Sequence, residues 1–193
     1  MLNWFSQSSQ SDSVVITGAS TGIGAACALA LDKLGYRVFA GVRHPADGER
    51  LQQQAGPRLM PIRLDVTDAA SISAASHTVT AMVGERGLAG LVNNAGIGVA
   101  GPIELLPLAD WRRQFEVNVF GLIAVTQTFL PLIRTGRGRI VNMGSIAGRA
   151  SMPFMAPYAA SKHALEAITD ALRLELQPWG IREIGRASCR ERV

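Results

Sequence analysis

Short apolar runs alternate along the chain with longer stretches of helical periodicity. The apolar runs predict buried strands at 13–17, 36–42, 58–66, 88–92 and 139–142. The periodic stretches predict helices at 25–35, 46–56, 68–86 with Thr67 as cap, 108–134 with a bend near Pro131, and about 157–178. This alternation is typical of βαβ units, so we predict an α/β fold with a doubly wound parallel sheet, a Rossmann-type three-layer sandwich.

The chain of 193 residues predicts one domain, covering 12–183, after a flexible lead-in at 1–11. A sixth strand is expected near Ile181. The last ten residues, IGRASCRERV at 184–193, have no periodicity and resemble the translation of a sequencing-adapter oligonucleotide. We interpret them as a non-native tail, with an ordinary exposed basic terminus as the alternative. The sheet is therefore expected to be incomplete at its C-terminal edge, and residues 1–193 alone to show weak or no activity.

Composition excludes several classes of function. Apolar residues make up 48% of the chain and charged residues 18%, which favours a sizeable core. The net charge of +4 comes from scattered basic residues, and half of it lies in the tail, so no nucleic-acid partner is expected. Two cysteines and three dispersed histidines do not predict a metal site.

No membrane span and no signal peptide are predicted. The N-terminus lacks a basic segment followed by a long apolar one. The most apolar stretch, 117–133, is interrupted by Asn118 and by 126–128, so we interpret it as a helix buried in protein. A cytoplasmic location is expected by default.

A glycine motif, TGASTGIG at 17–24, lies between the first strand and the first helix. Gly18 permits a tight turn, while Gly22 and Gly24 let the backbone approach a pyrophosphate. The N–H groups at the start of the helix would then meet that anion. The alternative is a glycine-rich turn without a ligand.

Tyr158 and Lys162 are four residues apart, so they share one face of a helix. An ammonium group beside a phenol favours the ionised phenol, which makes tyrosine usable as a general acid and base. The alternative is a tyrosine packed in the core with a lysine that extends to solvent.

These motifs together resemble the short-chain dehydrogenase/reductase family. The TGxxxGxG spacing, NNAG at 93–96, Asn118, Ser145 and the YxxxK of Tyr158 and Lys162 occur in the family's order over about 12–183. The resemblance implies an NAD(P)-dependent oxidoreductase that transfers a hydride between its cofactor and a carbonyl/alcohol substrate. Two alternatives stay open: a non-catalytic nucleotide-binding or regulatory protein, and an inactive fragment of the enzyme. The combination of serine, tyrosine and lysine argues against the first.

The resemblance also implies roles for individual residues. Tyr158 would exchange a proton with the substrate oxygen, Ser145 would orient that oxygen, and Lys162 would bind the nicotinamide ribose. Asn118 would support a proton relay to Lys162. The structural alternatives are a serine that caps local backbone and an asparagine that is a satisfied amide. The expected cofactor-binding residues are Gly18, Ser20, Gly22, Ile23, Gly24, Arg43, Asp65, Val66, Asn93, Ala95, Gly96, Tyr158 and Lys162.

The second strand ends without the carboxylate that usually binds the ribose hydroxyls of NAD. Arg43 stands there instead and suits a 2′-phosphate, so we predict NADP(H), with NAD possible. The family resemblance also implies that Asp65 and Val66 lie beside the adenine, although a turn or helix cap is the simpler role for Asp65.

The segment after Ser145, IAGRASMPFMAP, is apolar and rich in methionine. It predicts a lipophilic alcohol or ketone as substrate, unless Met152, Phe154 and Met155 only pack the loop. Members of the family commonly associate through the helices expected at 108–134 and 157–178, so a homodimer or homotetramer is expected.

Overall fold

A computed structural model describes residues 12–187 of the chain. In this part of the chain, six parallel strands form one sheet in the order β3-β2-β1-β4-β5-β6. The order reverses between β1 and β4, and ligands of open α/β sheets bind at such a reversal, beyond the carboxyl ends of the strands. The strands are β1 Ser13–Ile16, β2 Arg37–Val42, β3 Leu59–Arg63, β4 Gly90–Asn93, β5 Arg139–Gly144 and β6 Arg182–Ala187.

Helices cover both faces of the sheet. They are α1 Gly22–Lys33, α2 Pro45–Gln52, α3 Ala69–Val83, α4 Leu108–Phe115, α5 Leu122–Gly136 and α6 Ala156–Leu176. Side chains of α3, α5 and α6 pack with Val15 on one face, whereas side chains of α1 and α2 pack with Val14 and Ile16 on the other. The predicted three-layer fold class is therefore confirmed.

The central strands form from apolar runs because both of their faces are covered. All four residues of β1 are buried, as are five of the six residues of β2. Strands covered on both faces need continuous rather than alternating apolar residues. Each fully buried side chain of this kind, such as Phe39, contributes about 1.5–3 kcal/mol.

The cap of α3 differs from the prediction. Asp68, not Thr67, is the N-cap, and its Oδ1 accepts a hydrogen bond from the backbone N of Ala70 at 2.9 Å. The hydroxyl of Thr67 instead donates to Oδ1 of Asp65 at 2.8 Å. The prediction was wrong because Thr67 lies between two carboxylates: Asp68 occupies the N-cap position, and Asp65 accepts a hydrogen bond from the Thr67 hydroxyl.

The long helix predicted at 108–134 contains an irregular turn. A π-helical segment, Glu116–Gly121, separates α4 from α5 and carries Asn118. Pro131 lies within α5, so the irregularity lies upstream of the position where a bend was predicted. π-Helical turns frequently occur at functional sites, and they depart from the 3.6-residue period that sequence patterns detect.

The predicted sixth strand is confirmed at Arg182–Ala187. It pairs with β5 in parallel, from Arg139 opposite Arg182 to Gly144 opposite Ala187. The backbone at 184–187 thus continues the strand into the segment interpreted from sequence as a tail. The lead-in at 1–11 and the rest of that tail, 188–193, lie outside the described residues.

Within residues 12–187, the helical segment Leu108–Gly136 is long and apolar enough to cross a membrane, judged by length and composition alone. Its most apolar stretch of 18 residues is 44% buried in the protein. Val125, Phe129 and Ile133 of α5 are fully buried in the core. A core helix can be equally long and apolar.

Candidate active site

A cleft of about 350 Å³ opens at the carboxyl ends of the first four strands, and we call it the nucleotide cleft. Eight of the predicted cofactor residues line it: Gly18, Ser20, Ile23, Arg43, Asp65, Val66, Ala95 and Gly96. Sequence reasoning missed the other lining residues, which are Thr21, Gly41, Val42, Leu64, Thr67, Asn94, Ile97 and Val117. Most of the missed residues adjoin a predicted one in sequence.

The glycine turn has the backbone geometry that excludes larger residues. Gly18 has φ +63°, and a Cβ added there would lie 2.8 Å from Cα of Ala95. Gly24 does not line the cleft; a Cβ there would strike the carbonyl of Gly18 and the side chain of Asn94. Gly18 therefore forms part of the cleft wall, whereas Gly24 allows the first turn of α1 to pack closely against Gly18 and Asn94.

Thr17 and Asn94 hold the glycine turn against the end of β4. Oγ1 of Thr17 accepts hydrogen bonds from the backbone N of Asn94 and of Ala95, both at 3.0 Å. Nδ2 of Asn94 donates to the carbonyls of Thr17 at 3.0 Å and Gly18 at 2.9 Å. The sequence offered a signal for this contact, since Thr17 begins the glycine motif and Asn94 lies within NNAG.

Asn93 is buried below the cleft and does not line it. Its Nδ2 donates to Oγ1 of Thr126 and to Oδ1 of Asn142, both at 2.9 Å. Nδ2 of Asn142 donates in turn to Oγ1 of Thr169 at 3.1 Å. We call Thr126, Asn93, Asn142 and Thr169 the sheet amide chain, because it links β4 and β5 to α5 and α6. Asn93 thus has a structural position.

Arg43 is exposed at the end of β2, and Asp65 lies across the same cleft after β3. Partial burial acts to raise the pKa of Asp65, but this effect is outweighed. Hydrogen bonds from the N and Oγ1 of Thr67, together with the charge of Arg43, hold that pKa below its ordinary value. The nucleotide cleft therefore carries one anionic group near its guanidinium, and the turn-cap role considered for Asp65 is observed.

A second cleft, of about 470 Å³, adjoins the first, and we call it the catalytic cleft. Tyr158 and Lys162 both line it, as the shared helix face predicts. The two clefts are contiguous because they share four lining residues, Ile23, Asn94, Gly96 and Ile97. The remaining residues that line the catalytic cleft are Gly98, Met143, Gly144 and Met155.

Lys162 is buried, with 7% of its surface exposed. Its Nζ donates to the carbonyl of Met143 at 2.6 Å and lies 5.8 Å from the ring centroid of Tyr158. Burial lowers the pKa of Lys162 to about 8, against a smaller opposing effect of Glu166. The alternative of a lysine that extends to solvent is therefore wrong.

Ser145 is buried just after β5, where its Oγ accepts a hydrogen bond from the backbone N of Ala147 at 3.2 Å. It is not among the residues that line the catalytic cleft. The structural alternative of a serine that caps local backbone is thus observed. A hydroxyl that accepts in this way keeps its proton for donation, so the bond does not prevent a role toward substrate.

Asn118 is 1% exposed, and its side-chain amide is hydrogen-bonded to other protein groups. Oδ1 accepts from the backbone N of Ile97 at 2.9 Å, while Nδ2 donates to the carbonyl of Ile97 at 3.0 Å and to Oγ of Ser161 at 3.1 Å. Asn118 therefore holds the backbone that follows NNAG. Its role in a proton relay stays a prediction.

Comparison with known proteins agrees with this geometry. The family model described as short chain dehydrogenase matches residues 12–187. The chain is 41% identical over 172 residues to 17-beta-hydroxysteroid dehydrogenase type 2 of Homo sapiens, which covers 88% of this chain and 44% of that protein. It is 43% identical over 169 residues to retinol dehydrogenase 5 of Mus musculus, covering 87% and 53% respectively. The chain thus spans about half the length of these relatives.

Solved structures share the fold. A short-chain dehydrogenase from Streptomyces avermitilis superposes with a TM-score of 0.86 at 33% identity, covering 94% of this chain and 67% of that one. A gluconate 5-dehydrogenase from Burkholderia cenocepacia J2315, in complex with NADP and tartrate, gives 0.82 at 29% identity, with 91% and 69% covered. The sheet order, the glycine turn, the paired tyrosine and lysine and the family match agree: the chain belongs to the short-chain dehydrogenase family.

Proposed function

We propose that this protein is an oxidoreductase that transfers a hydride reversibly between NADP(H) and a lipophilic carbonyl/alcohol pair. One observation carries the proposal: Tyr158 and Lys162 line a cleft that is contiguous with the cleft of the glycine turn. A substrate oxygen near Tyr158 would therefore lie beside the end of a dinucleotide that extends from the turn. The chain spans about half the length of its relatives, so the activity is proposed for the full-length gene product.

Three candidate catalytic residues, two that line the catalytic cleft and Ser145 just after β5, would act together with the cofactor. The dinucleotide, when bound, supplies or accepts the hydride. Tyr158 donates a proton to the carbonyl oxygen during reduction and takes it back during oxidation. Ser145 donates a hydrogen bond to the same oxygen as charge develops on it. Lys162 has three N–H donors, of which one is used on Met143, so the others are available for ribose hydroxyls.

The nucleotide cleft suits a dinucleotide. The positive φ angles of Gly18 and Gly22 form a turn without side chains at the start of α1. The N-cap of that helix, Thr21, makes no side-chain capping bond, which leaves first-turn N–H groups for a pyrophosphate. These residues would hold the diphosphate, while Asp65 and Val66 would lie beside the adenine.

The choice of NADP(H) depends on Arg43. It lines the nucleotide cleft at the end of β2, where the sequence has no carboxylate to bind the 2′-hydroxyl. A guanidinium pairs well with a phosphate group at that position. The Burkholderia cenocepacia neighbour was solved with NADP, which supports the proposal by similarity.

The substrate is proposed to be a lipophilic alcohol or ketone. Of the three apolar residues considered in the loop after Ser145, Met155 lines the catalytic cleft, whereas Met152 and Phe154 are exposed. Met143 and Ile97 add further apolar surface to the cleft. Relatives named for hydroxysteroids and retinol support a substrate of this class.

Assembly and location stay predictions. A homodimer or homotetramer through the 108–136 segment and α6 would cover Leu108 and Phe120, which are 63% and 55% exposed. A cytoplasmic location is proposed on the sequence alone.

An activity screen tests the proposal. The full-length gene product is incubated with NADPH or NADH and a panel of carbonyls that includes a steroid ketone, retinal and a short aldehyde. We expect NADPH to be oxidised, faster with the lipophilic carbonyls. Tyr158→Phe should lose about 100-fold or more of this turnover, because it removes only the proton donor. Tyr36→Phe, which removes the hydroxyl of the other tyrosine in the sequence, is the matched control. No turnover with any carbonyl would contradict the proposal.

A further inference from the structure

Gln114 is a buried amide that the proposed mechanism does not use. It lies in the last turn of α4 with 0% of its surface exposed, and no other residue of α4 is buried. Its Oε1 accepts from the backbone N of Val99 at 2.7 Å, and its Nε2 donates to the carbonyl of Ile97 at 2.8 Å. A glutamine on the core side of a helix is unfavourable unless such partners satisfy it.

Gln114, Asn118 and Ser161 form one hydrogen-bonded group, which we call the amide clamp. Oγ of Ser161 accepts from Nδ2 of Asn118 at 3.1 Å and from Nε2 of Gln114 at a longer 3.4 Å. The same Oγ donates to the backbone carbonyl of Tyr158 at 2.7 Å. The amide clamp therefore connects α4 and the π-helical turn to the first two turns of α6.

The segment held by the clamp is a wall of the catalytic cleft. Both amides bind the backbone of Ile97, and Gln114 alone binds the N–H of Val99. Ile97 and Gly98 line the cleft with Tyr158. A methyl group added at Gly98 would lie 3.8 Å from Cδ2 of Tyr158, so this wall faces the tyrosine ring.

We propose that Gln114 is a positioning residue for Tyr158: through the amide clamp it fixes the 97–99 segment beside the phenol ring. The segment lies between β4 and α4 and has no sheet partner, so side-chain amides take the place of a strand ladder. Without Gln114, the buried N–H of Val99 loses its partner and the segment shifts to find another. Displacement of a reacting group by about 1 Å lowers turnover by about 100-fold. The positioning itself rests on geometry; its kinetic consequence rests on the proposed function.

A spectroscopic experiment tests the clamp without activity. The 193-residue chain contains two tyrosines, Tyr36 and Tyr158, so labelling with 3-fluorotyrosine gives two fluorine resonances, which Tyr36→Phe assigns. In Gln114→Leu we expect the Tyr158 resonance to shift or broaden and the Tyr36 resonance to stay in place. Thr169→Val also deletes a partner of a buried amide, Asn142, and should leave both resonances unchanged. An unchanged Tyr158 resonance in folded Gln114→Leu would overturn the proposal.

Gln114→Glu covers the case in which Gln114→Leu does not fold. The carboxylate keeps an acceptor for Val99, but only its protonated form donates to Ile97. We therefore expect the Tyr158 resonance of this variant to move toward its wild-type position as the pH falls. A resonance that stays at its wild-type position at every pH would also overturn the proposal.

Kinetics separate this inference from the proposed function. In the full-length gene product, Gln114→Leu should lower kcat by about 10- to 100-fold while KM for NADPH changes less than about threefold. Thr169→Val should leave kcat within about twofold. If the wild type shows no turnover, the proposed function fails and the fluorine experiment alone decides the clamp. If the wild type is active and Gln114→Leu is equally active, the positioning role fails and the proposed function stands.

Discussion

The sheet amide chain and the amide clamp have the same chemistry in different surroundings. Each contains two buried carboxamides, bonded to two threonine hydroxyls in the sheet amide chain and to one serine hydroxyl in the amide clamp. The sheet amide chain joins β4 and β5, which backbone pairing already holds in register with Asn93 opposite Asn142. The clamp instead holds a segment without sheet partners, at the wall of the catalytic cleft. The same interaction therefore supports general stability in one place and the geometry of a site in the other.

The two groups also differ in how fully their polar atoms are paired. Oδ1 of Asn93 is buried and has no hydrogen-bond partner within the described structure. In the clamp, the carbonyl and both N–H directions of Gln114 and Asn118 are occupied. The amide clamp is therefore the more fully hydrogen-bonded of the two groups. An unpaired buried acceptor such as Oδ1 of Asn93 lowers the free energy of unfolding by about 1–3 kcal/mol.

The largest effect is expected at Lys162, which should be needed for turnover although its burial lowers the stability of the folded protein. Lys162→Met should lower turnover by about 100-fold or more, because it removes the cation beside Tyr158. The pKa of about 8 in the folded protein lies below the ordinary value of 10.5. Between these values the unfolded chain binds a proton that the folded chain does not. The free energy of unfolding of the wild type should therefore rise with pH across that window, by up to about 3 kcal/mol.

Urea titrations of the wild type and Lys162→Met between about pH 7 and pH 10.5 measure this effect. The rise should be absent from Lys162→Met and present in Lys33→Met, which removes the other, exposed lysine of the sequence. Equal slopes in the wild type and Lys162→Met would show that Lys162 does not carry this penalty.

A smaller effect is expected at the far end of the nucleotide cleft. Arg43→Gln removes the charge that would pair with a 2′-phosphate and should weaken NADPH binding by about 10- to 100-fold, the loss expected for one charged hydrogen bond. NADH binding should change less than about threefold. Fluorescence titration of both cofactors gives the two dissociation constants. An equal loss for both cofactors would contradict the assignment of Arg43 to the phosphate.

The smallest effect is expected from a matched pair of variants that compares the amide clamp directly with the sheet amide chain. Ser161→Ala and Thr126→Val each delete one buried hydroxyl that contacts a buried asparagine. Each should lower the free energy of unfolding by about 1–2 kcal/mol, measured by urea titration. Only Ser161→Ala should also lower kcat, by about 10-fold, since its hydroxyl bonds to the carbonyl of Tyr158. Equal kcat values for the two variants would remove the functional distinction.

Local patterns explain what the sequence could predict. The strands follow from apolar runs, the glycine turn from its position between a strand and a helix, and the shared face of Tyr158 and Lys162 from one helical turn. The contact between Thr17 and Asn94 joins residues 77 positions apart, and that between Asn118 and Ser161 spans 43. No local pattern encodes such contacts.

Other features were missed because competing local interactions decide them. Asp68 and Thr67 are adjacent candidates for one cap, and the structure selects Asp68 because Asp65 binds the Thr67 hydroxyl. The π-helical turn around Asn118 departs from the helical period. Gln114 lies one helical turn before Asn118, so a search for pairs of polar residues on an otherwise buried face would have found it.

Isotope transfer tests the central claim most directly, namely that Tyr158 and Lys162 serve a hydride transfer at the joined clefts. NADPH carrying deuterium at the transferable C4 position is incubated with the full-length gene product and a lipophilic ketone, and the alcohol is analysed by mass spectrometry. The account predicts one deuterium on the carbinol carbon with the wild type and almost no labelled alcohol with Tyr158→Phe, although this variant still binds NADPH. An unlabelled alcohol, or equal labelled product from both proteins, would contradict it.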